Sequence, residues 1–185
     1  MPAPYSQPLT SWAKTTYARP ASPQILTAGI GGALAVSLVG AAGLVSENAL
    51  LMAPLGATAV LLFALPDSPL SAPRHVVGGH VLSMLIGVLC LFLVSLMTGT
   101  QMIGSLGLAD PGAVADMLGA GLGTGAAIAC MMATRTVHPP AGANPMLLIF
   151  SGLSLSDATL LIALPGVFGA VLLYLVAALL RRPAP

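Results

Sequence analysis

Charged side chains are scarce in this chain of 185 residues. Lysine, arginine, aspartate and glutamate make up 6% of it, whereas 57% is hydrophobic. A soluble domain averages about 25% charged residues. So few charges cannot cover a soluble domain, and a mean hydropathy of +0.98 indicates an integral membrane protein. A net charge of +1 also gives no basic surface for nucleic acid, so no nucleic-acid partner is expected.

Cysteine is nearly absent too, and the sequence lacks enzyme motifs. Cys90 and Cys130 both lie within apolar runs, which favours small core residues over a disulfide or a metal site. There is no paired carboxylate motif, no Cys/His metal spacing and no phosphate-binding loop. We therefore expect no enzyme activity, no metal and no cofactor. The glycine-rich stretch 121–125 lies within an apolar run, which favours helix packing.

Long apolar runs dominate the rest of the chain. Four of them hold about 20 residues each, enough to cross ~30 Å of hydrocarbon. They cover residues 25–46, 76–98, 113–134 and 158–180, the last with a kink predicted at Pro165. Residues 1–24 are polar and proline-rich. A signal peptide is the alternative, but the run after them exceeds the roughly 7–15 residues of a signal-peptide core. We expect a cytoplasmic tail, a transmembrane domain over 25–180 and a C-terminal tail over 181–185.

Two shorter apolar segments contain prolines that predict broken helices. Residues 49–65 contain Pro54, and residues 136–155 contain Pro140. The two segments match at an offset of 86 residues, since Pro-x-Gly-Ala begins at both prolines. This predicts two repeats, at about 25–98 and 113–180, each with a helix, a broken segment and a helix. Broken segments at corresponding positions are a sequence indication of a transport site.

The placement of charge predicts the topology. If both broken segments cross, six elements span the membrane and every basic residue lies on one side: Lys14, Arg19, Arg74, Arg135, Arg181 and Arg182. If both segments are re-entrant, only four elements cross, and Arg74 and Arg135 move to the other side. The positive-inside rule favours six crossings with both termini cytoplasmic. The expected fold is an all-α polytopic membrane protein with a 3+3 inverted repeat, in a bacterial inner membrane.

The helices are predicted to restart at Thr58 and at Asn144, an N-cap followed by Pro145. Two helix starts inside the membrane would present free N–H groups to an anion near the midplane. The alternative is a pair of interior kinks without a ligand. The residues expected to line the site are Gly56, Ala57, Thr58, His80, His138, Gly142, Ala143 and Asn144.

Histidines and arginines near this site each allow two interpretations. His138 is either a pore-lining donor, with a proton-linked gate as one form of that role, or a cap for a freed carbonyl. His80 lies about one turn inside a predicted helix, where a polar side chain usually faces the bundle interior. Arg135, Arg74 and His75 are expected at the mouth of the site. They either attract or gate the anion, or simply anchor a span end and a solvated turn.

Two motifs carry a family resemblance. Residues 136–144, TVHPPAGAN, and residues 51–88, LMAPLGATAVLLFALPDSPLSAPRHVVGGHVLSMLIGV, resemble the HPP family of integral membrane proteins. The resemblance covers about 25–180. Plant chloroplast and cyanobacterial members are associated with nitrite transport, which implies nitrite as the substrate here. The family more often has Asn at the position of His75 and Thr-Ala at the position of Asn144-Pro145.

The expected function is therefore a channel or transporter for nitrite. A non-transporting membrane scaffold or sensor and a neutral-solute channel are the alternatives. Small residues over 119–125 also predict packing against a second copy, and thus a homo-oligomer in the lipid bilayer.

Overall fold

The computed structural model describes residues 22–45, 53–98, 111–151 and 163–180. Within these ranges the chain forms α-helices joined by turns, two of which are 3-10 turns (η). In chain order the elements are α1 Ser22–Val45, α2 Ala53–Ala64, η1 Pro69–Ser71, α3 Pro73–Thr98, α4 Pro111–Ala133, η2 Pro139–Ala143, α5 Asn144–Ile149 and α6 Ala163–Leu180.

Three helices are long and apolar enough to cross a membrane. The stretches are Ser22–Ala41 in α1, Pro73–Met97 in α3 and Gly112–Ala133 in α4. The described helix α2 has 12 residues, or about 18 Å of rise, and belongs to the shorter apolar helices. The fourth predicted span begins outside the described residues, and α6 contributes a shorter apolar stretch, Gly166–Leu180. The described part of the chain is therefore all-helical with three clear spans.

The first proline segment differs from its prediction. The described part of α2 runs Ala53–Ala64 without a break at Thr58, so the predicted restart at Thr58 is wrong. Pro54 is the second residue of that described range. Pro165 is the third described residue of α6, and the residues before Ala163 lie outside the described ones, so the kink there stays a prediction.

The second proline segment is interrupted. The five-residue turn η2 leads directly into the six-residue helix α5. The predicted N-cap is wrong, because Ala143 occupies that position and makes no side-chain capping bond. Asn144 is the first residue of α5, and its side chain bonds to α3 instead.

The helix α3 lies against α4, α5, α6 and both 3-10 turns. Three apolar clusters surround it. The first joins α1, α2 and α6, with one residue of α3. The second joins α3, α4 and α5, and the third joins α4 and η2. One row of buried positions on α3 recurs every three or four residues, at Val76, His80, Ser83, Gly87 and Leu91. Gly79, Met84 and Val94 are buried beside this row. The spacing of the row places two polar residues on the face that meets the second proline segment.

Close backbone approach holds that segment against α3 and α4. A Cβ on Gly79 would lie 2.6 Å from His138 Cβ and 3.1 Å from the Thr136 carbonyl oxygen. Gly87 and Gly123 make similar approaches, with distances of 3.0 Å to Pro145. Side chains at these positions would displace the segment, so the glycines bring His138 and Asn144 close to α3.

The glycine-rich stretch of α4 packs within the described chain on one side only. A Cβ added at Gly123 would lie 3.0 Å from Pro145 and 3.1 Å from Cys90 Sγ, whereas at Gly121 or Gly125 it would meet nothing within 4 Å. Cys130 is exposed and Cys90 is only partly buried, so the expectation of two core cysteines is wrong for Cys130. Since α4 is apolar on all sides, its sequence does not indicate which face is buried.

Candidate functional site

Buried polar side chains gather at one place in this apolar bundle. Among the described residues, those buried and polar are Thr58, Ser71, His80, Ser83, His138 and Asn144. All but Ser71 belong to one connected group, called here the polar cluster: Thr58, His80, Ser83, His138 and Asn144. Its members come from α2, α3, α5 and the residue just before η2.

Thr58 joins the two histidines. Its Oγ1 lies 3.0 Å from Nε2 of His80 and 3.0 Å from Nε2 of His138. The same oxygen is 3.0 Å from the carbonyl oxygen of Pro54, one turn earlier in α2. The ring centroids of the histidines are 5.4 Å apart and tilted by 53°. Thr58 is completely buried because it lies on the face of α2 that also buries Pro54 and Leu62.

His80 connects the two proline segments. Its Nε2 faces Thr58, and its Nδ1 lies 3.1 Å from Nδ2 of Asn144. Thr58 and Asn144 are matching positions in the two predicted repeats, since they share the offset of 86 residues. Asn144 Nδ2 also donates to Ser83 Oγ over 2.7 Å. One imidazole thus binds the corresponding residue of each segment through a different nitrogen.

His138 has an extended backbone, with φ −134° and ψ 101°, just before the two prolines that open η2. Its Nδ1–H donates to the carbonyl oxygen of Leu70 in η1 over 3.0 Å. One nitrogen thus caps a carbonyl, as one interpretation of His138 expects, and the other contacts Thr58 in the polar cluster.

The proton positions follow from counting donors and acceptors. Neutral His138 donates from Nδ1 to Leu70, so its Nε2 accepts. His80 accepts from Asn144 at Nδ1, so its Nε2–H donates to Thr58. Thr58 has a single hydroxyl hydrogen for two acceptors at 3.0 Å, His138 Nε2 and the Pro54 carbonyl. With both rings neutral, the polar cluster is one hydrogen short of filling every contact.

Besides this missing hydrogen, the polar cluster contains an unpaired acceptor, the side-chain oxygen of Asn144. Asn144 is 1% exposed, and its Oδ1 has no hydrogen-bond partner among the described residues. Leaving such an acceptor buried and unpaired costs about 1–3 kcal/mol. The amide nitrogen is the end that contacts His80 Nδ1 and Ser83 Oγ, so Oδ1 must point away from both residues. These two contacts therefore leave Oδ1 without a partner.

The expected mouth residues lie together at one end of α3 and α4. His75 Nδ1–H donates to the Val137 carbonyl over 2.8 Å, and Arg74 makes a long 3.4 Å contact with the Thr134 carbonyl. Arg135 is exposed and has a positive φ of 56°. Its N–H bonds to the Met132 carbonyl, and the next N–H bonds back to Met131, which is the αL ending of a helix. These three residues hold the turn before His138.

The other residues predicted to line the site are not members of the polar cluster. Gly56 lines an apolar groove of about 420 Å³ between α1 and α2, and Ala57 is exposed. Gly142 is buried with open space beside its Cα, and Ala143 is half-buried. The four residues brought together are Thr58, His80, His138 and Asn144.

Two contributors were missed by the sequence interpretation. Ser83 lies three residues after His80, on the same side of α3, and this spacing could have identified it. The Leu70 carbonyl could not be found this way, because a backbone acceptor leaves no mark in a sequence.

The polar cluster contains no lysine, arginine, aspartate or glutamate. Its histidines are the only members that can carry charge. In the described ranges, no group of three or more His, Cys, Asp or Glu side chains is arranged to hold a metal ion.

Comparison with known proteins gives a family. Residues 18–184 match the family model described as HPP, transmembrane region. A transmembrane protein of Dictyostelium discoideum is 33% identical over 106 residues, which is 57% of this chain and 29% of that protein. The chain thus spans less than a third of that relative. No solved structure matches.

Proposed function

Because the chain belongs to the HPP transmembrane region family, we propose that it forms a membrane pathway for a small monovalent anion, with nitrite as the first candidate. The observation that carries this proposal is the polar cluster. It places two histidines, a threonine, a serine and an asparagine in the interior of an apolar bundle. Nitrite is suggested by the resemblance to members associated with nitrite transport.

The free-energy cost of burying the polar cluster supports a functional role for it. Polar groups at membrane depth cost several kcal/mol when unsatisfied and usually face an interior or a wet cavity. A purely structural cluster would be expected to satisfy all its atoms. This one has an unpaired Asn144 Oδ1 and a Thr58 hydrogen serving two acceptors. Both features suit a site whose hydrogen bonds rearrange when a solute passes.

The donors in this proposal are side chains, not helix starts. The helix α2 runs through Thr58 without a restart, and α5, which begins at Asn144, is too short to have a useful dipole. An anion with two acceptor oxygens would instead bind hydroxyl, amide and imidazole hydrogens from Thr58, Asn144 and His80. These groups come from both proline segments and from α3, so an anion among them would contact the bundle from several sides.

The topology remains part of the proposal. Six crossing elements in a 3+3 inverted repeat place Arg74 and Arg135 on the cytoplasmic side of a bacterial inner membrane, with both termini. In the structure Arg74 contacts the Thr134 carbonyl, next to Arg135, so the two arginines lie at the same end of the bundle. Cysteine labelling from either side of the membrane, at Arg74→Cys and Arg135→Cys, tests this arrangement; opposite accessibilities would contradict it.

Flux into vesicles tests the proposed function. The purified protein is reconstituted in liposomes, and uptake of nitrite, nitrate and formate is compared with protein-free vesicles. The expected result is nitrite uptake well above the protein-free background. Uptake equal to that background, by correctly inserted and folded protein, would contradict the proposal and favour a scaffold or sensor.

A neutral-solute pathway is the second candidate, and one observation favours it. The polar cluster has no fixed charge, and the Asn144 Oδ1 is an acceptor that would bind a donor-bearing solute and repel an anion. Uptake of urea and glycerol in the same vesicles separates the two candidates. Faster uptake of these solutes than of nitrite would favour the neutral pathway.

We also propose a homo-oligomer through the outer face of α4. Gly121, Gly125 and Ala129 are exposed at intervals of four residues, which lets a second helix approach closely. Exposed Cys130 lies beside them. Oxidative cross-linking through Cys130 in native membranes tests this, and a chain that stays monomeric in mild detergent would contradict it.

A further inference from the structure

The contacts of Thr58 require more hydrogens than a neutral polar cluster has. A threonine hydroxyl has one hydrogen and two lone pairs. Thr58 Oγ1 has three partners at 3.0 Å: the Pro54 carbonyl, His80 Nε2 and His138 Nε2. The carbonyl can only accept, so all three contacts are hydrogen bonds together only if both imidazoles donate.

The outer contacts of the two rings decide which one carries the additional hydrogen. His80 Nδ1 faces the Asn144 amide nitrogen, a donor, so His80 stays neutral when its Nε2–H donates to Thr58. His138 Nδ1 faces the Leu70 carbonyl, an acceptor, so Nδ1 already carries a hydrogen. A hydrogen on Nε2 as well makes His138 an imidazolium, and every contact of Thr58 is then satisfied.

We propose that His138 is the proton-binding residue of a proton-coupled anion carrier, which takes up one proton with each anion. This inference rests on the proposed function. A proton from water binds Nε2 of neutral His138, and the Thr58 hydroxyl hydrogen turns from that nitrogen to the Pro54 carbonyl. No covalent bond to the anion forms. On release, the proton returns to water and the hydroxyl hydrogen turns back.

The surroundings of His138 explain why proton and anion move together. Among the described residues, the groups facing it that can carry charge are His80 and His75, both on α3. The helix α2 presents Thr58, and η1 presents the Leu70 carbonyl; neither bears a charge. Arg135 and Arg74 are exposed at the end of the bundle. With no acid in the polar cluster, a buried imidazolium has no counter-charge within that cluster, and a monoanion provides one.

Histidine NMR tests the protonation directly. The chain has three histidines, so a protein labelled with 15N in the imidazole rings gives three ring patterns. His138→Gln and His75→Gln variants assign them. Without nitrite we expect His138 to carry hydrogen on Nδ1 alone. At constant pH, sodium nitrite should give it hydrogens on both nitrogens, while sodium sulfate should not. A His138 ring that stays neutral while nitrite shifts other signals would overturn the inference.

Flux measurements separate this inference from the proposed function. In vesicles with an internal pH indicator and an ionophore that sets the voltage, the wild type should move about one proton per nitrite. After the nitrite uptake of protein-free vesicles is subtracted, the accumulation of nitrite should depend on the pH gradient and be independent of the voltage. His138→Gln should lose the proton movement, while Gly29→Ala, at an exposed glycine of α1 with nothing within 4 Å, should keep the ratio. Nitrite flux that follows voltage without protons would overturn proton coupling alone, and no protein-dependent flux would overturn the proposed function.

Discussion

The segment around Thr58 is a single helix, α2, whereas the segment around Asn144 is a 3-10 turn followed by the short helix α5. Both have the sequence Pro-x-Gly-Ala before these two residues. The difference lies in what each segment packs against. The second segment meets α3 through Gly79 and Gly87 and α4 through Gly123, whereas Gly56 of the first segment has open space beside it.

Despite different backbones, the two segments bind opposite nitrogens of His80. Side chains at matching positions of the two segments therefore contact the same histidine, although the local secondary structure of the segments differs. The comparison also predicts that the second segment depends on close backbone contact, and the first mainly on the Thr58 hydroxyl.

The largest effect is expected from Gly79→Ala. A Cβ there would lie 2.6 Å from His138 Cβ, so either α3 or the second segment must move. Overpacking of this kind costs about 1–3 kcal/mol. We expect a lower unfolding temperature in detergent and loss of nitrite flux. Gly29→Ala in α1 is the matched control, because nothing lies within 4 Å there. Equal stability of the two variants would contradict the close approach.

Thr58→Val should have the next largest effect. Valine keeps the shape but removes the hydroxyl that both histidines contact, so two buried imidazole nitrogens lose their partner. The expected loss is about 1–3 kcal/mol, measured by thermal unfolding. Thr58→Ser keeps the hydroxyl and should keep most of the stability. A serine variant as unstable as the valine variant would show that the methyl group matters, not the hydrogen bonds.

Asn144→Thr should change stability little. Threonine can still donate to His80 or Ser83, and it removes the unpaired Oδ1. The free energy of unfolding of this variant is expected to lie within about 1 kcal/mol of the wild-type value. Flux then shows the use of the side-chain amide: unchanged nitrite flux means that the amide is not needed for passage of the solute. A marked loss of flux in a stable variant would show that it is.

The smallest effect is expected from Arg135→Gly. Arg135 is exposed with φ 56°, a conformation that glycine adopts without steric cost. We expect a gain of about 0.5–1 kcal/mol in unfolding free energy. Arg135→Ala removes the charge without relieving the backbone and should show no such gain. If both variants lower nitrite flux alike at low salt, the guanidinium attracts the anion.

The sequence predicted the members of the polar cluster where their residue type and their neighbours in sequence were sufficient to identify them. Histidines within apolar runs, and the match of Thr58 with Asn144, identified four side chains that the structure brings together. The restart at Thr58 was mispredicted because a proline alone does not show whether the helix continues past it, as α2 does, or is interrupted, as the second segment is.

The connections within the polar cluster could not be predicted for a different reason. Which nitrogen of His80 meets Thr58 depends on the rotation of α3 and on how closely Gly79 lets the second segment approach. These are properties of packed helices. For the same reason, the uniformly apolar α4 contains no sign that Cys130 faces outward.

Nitrite flux through Thr58→Val and Gly29→Ala vesicles, at equal amounts of folded protein, tests most directly whether the anion passes through the polar cluster. We expect the Gly29→Ala protein to match the wild type, because Gly29 is exposed on α1 and an added Cβ would meet nothing within 4 Å. We expect Thr58→Val to lose about tenfold or more of the protein-dependent flux, a change of roughly 1.4 kcal/mol in the barrier. Equal nitrite flux through folded Thr58→Val and wild-type protein would contradict a pathway through Thr58 and the two histidines.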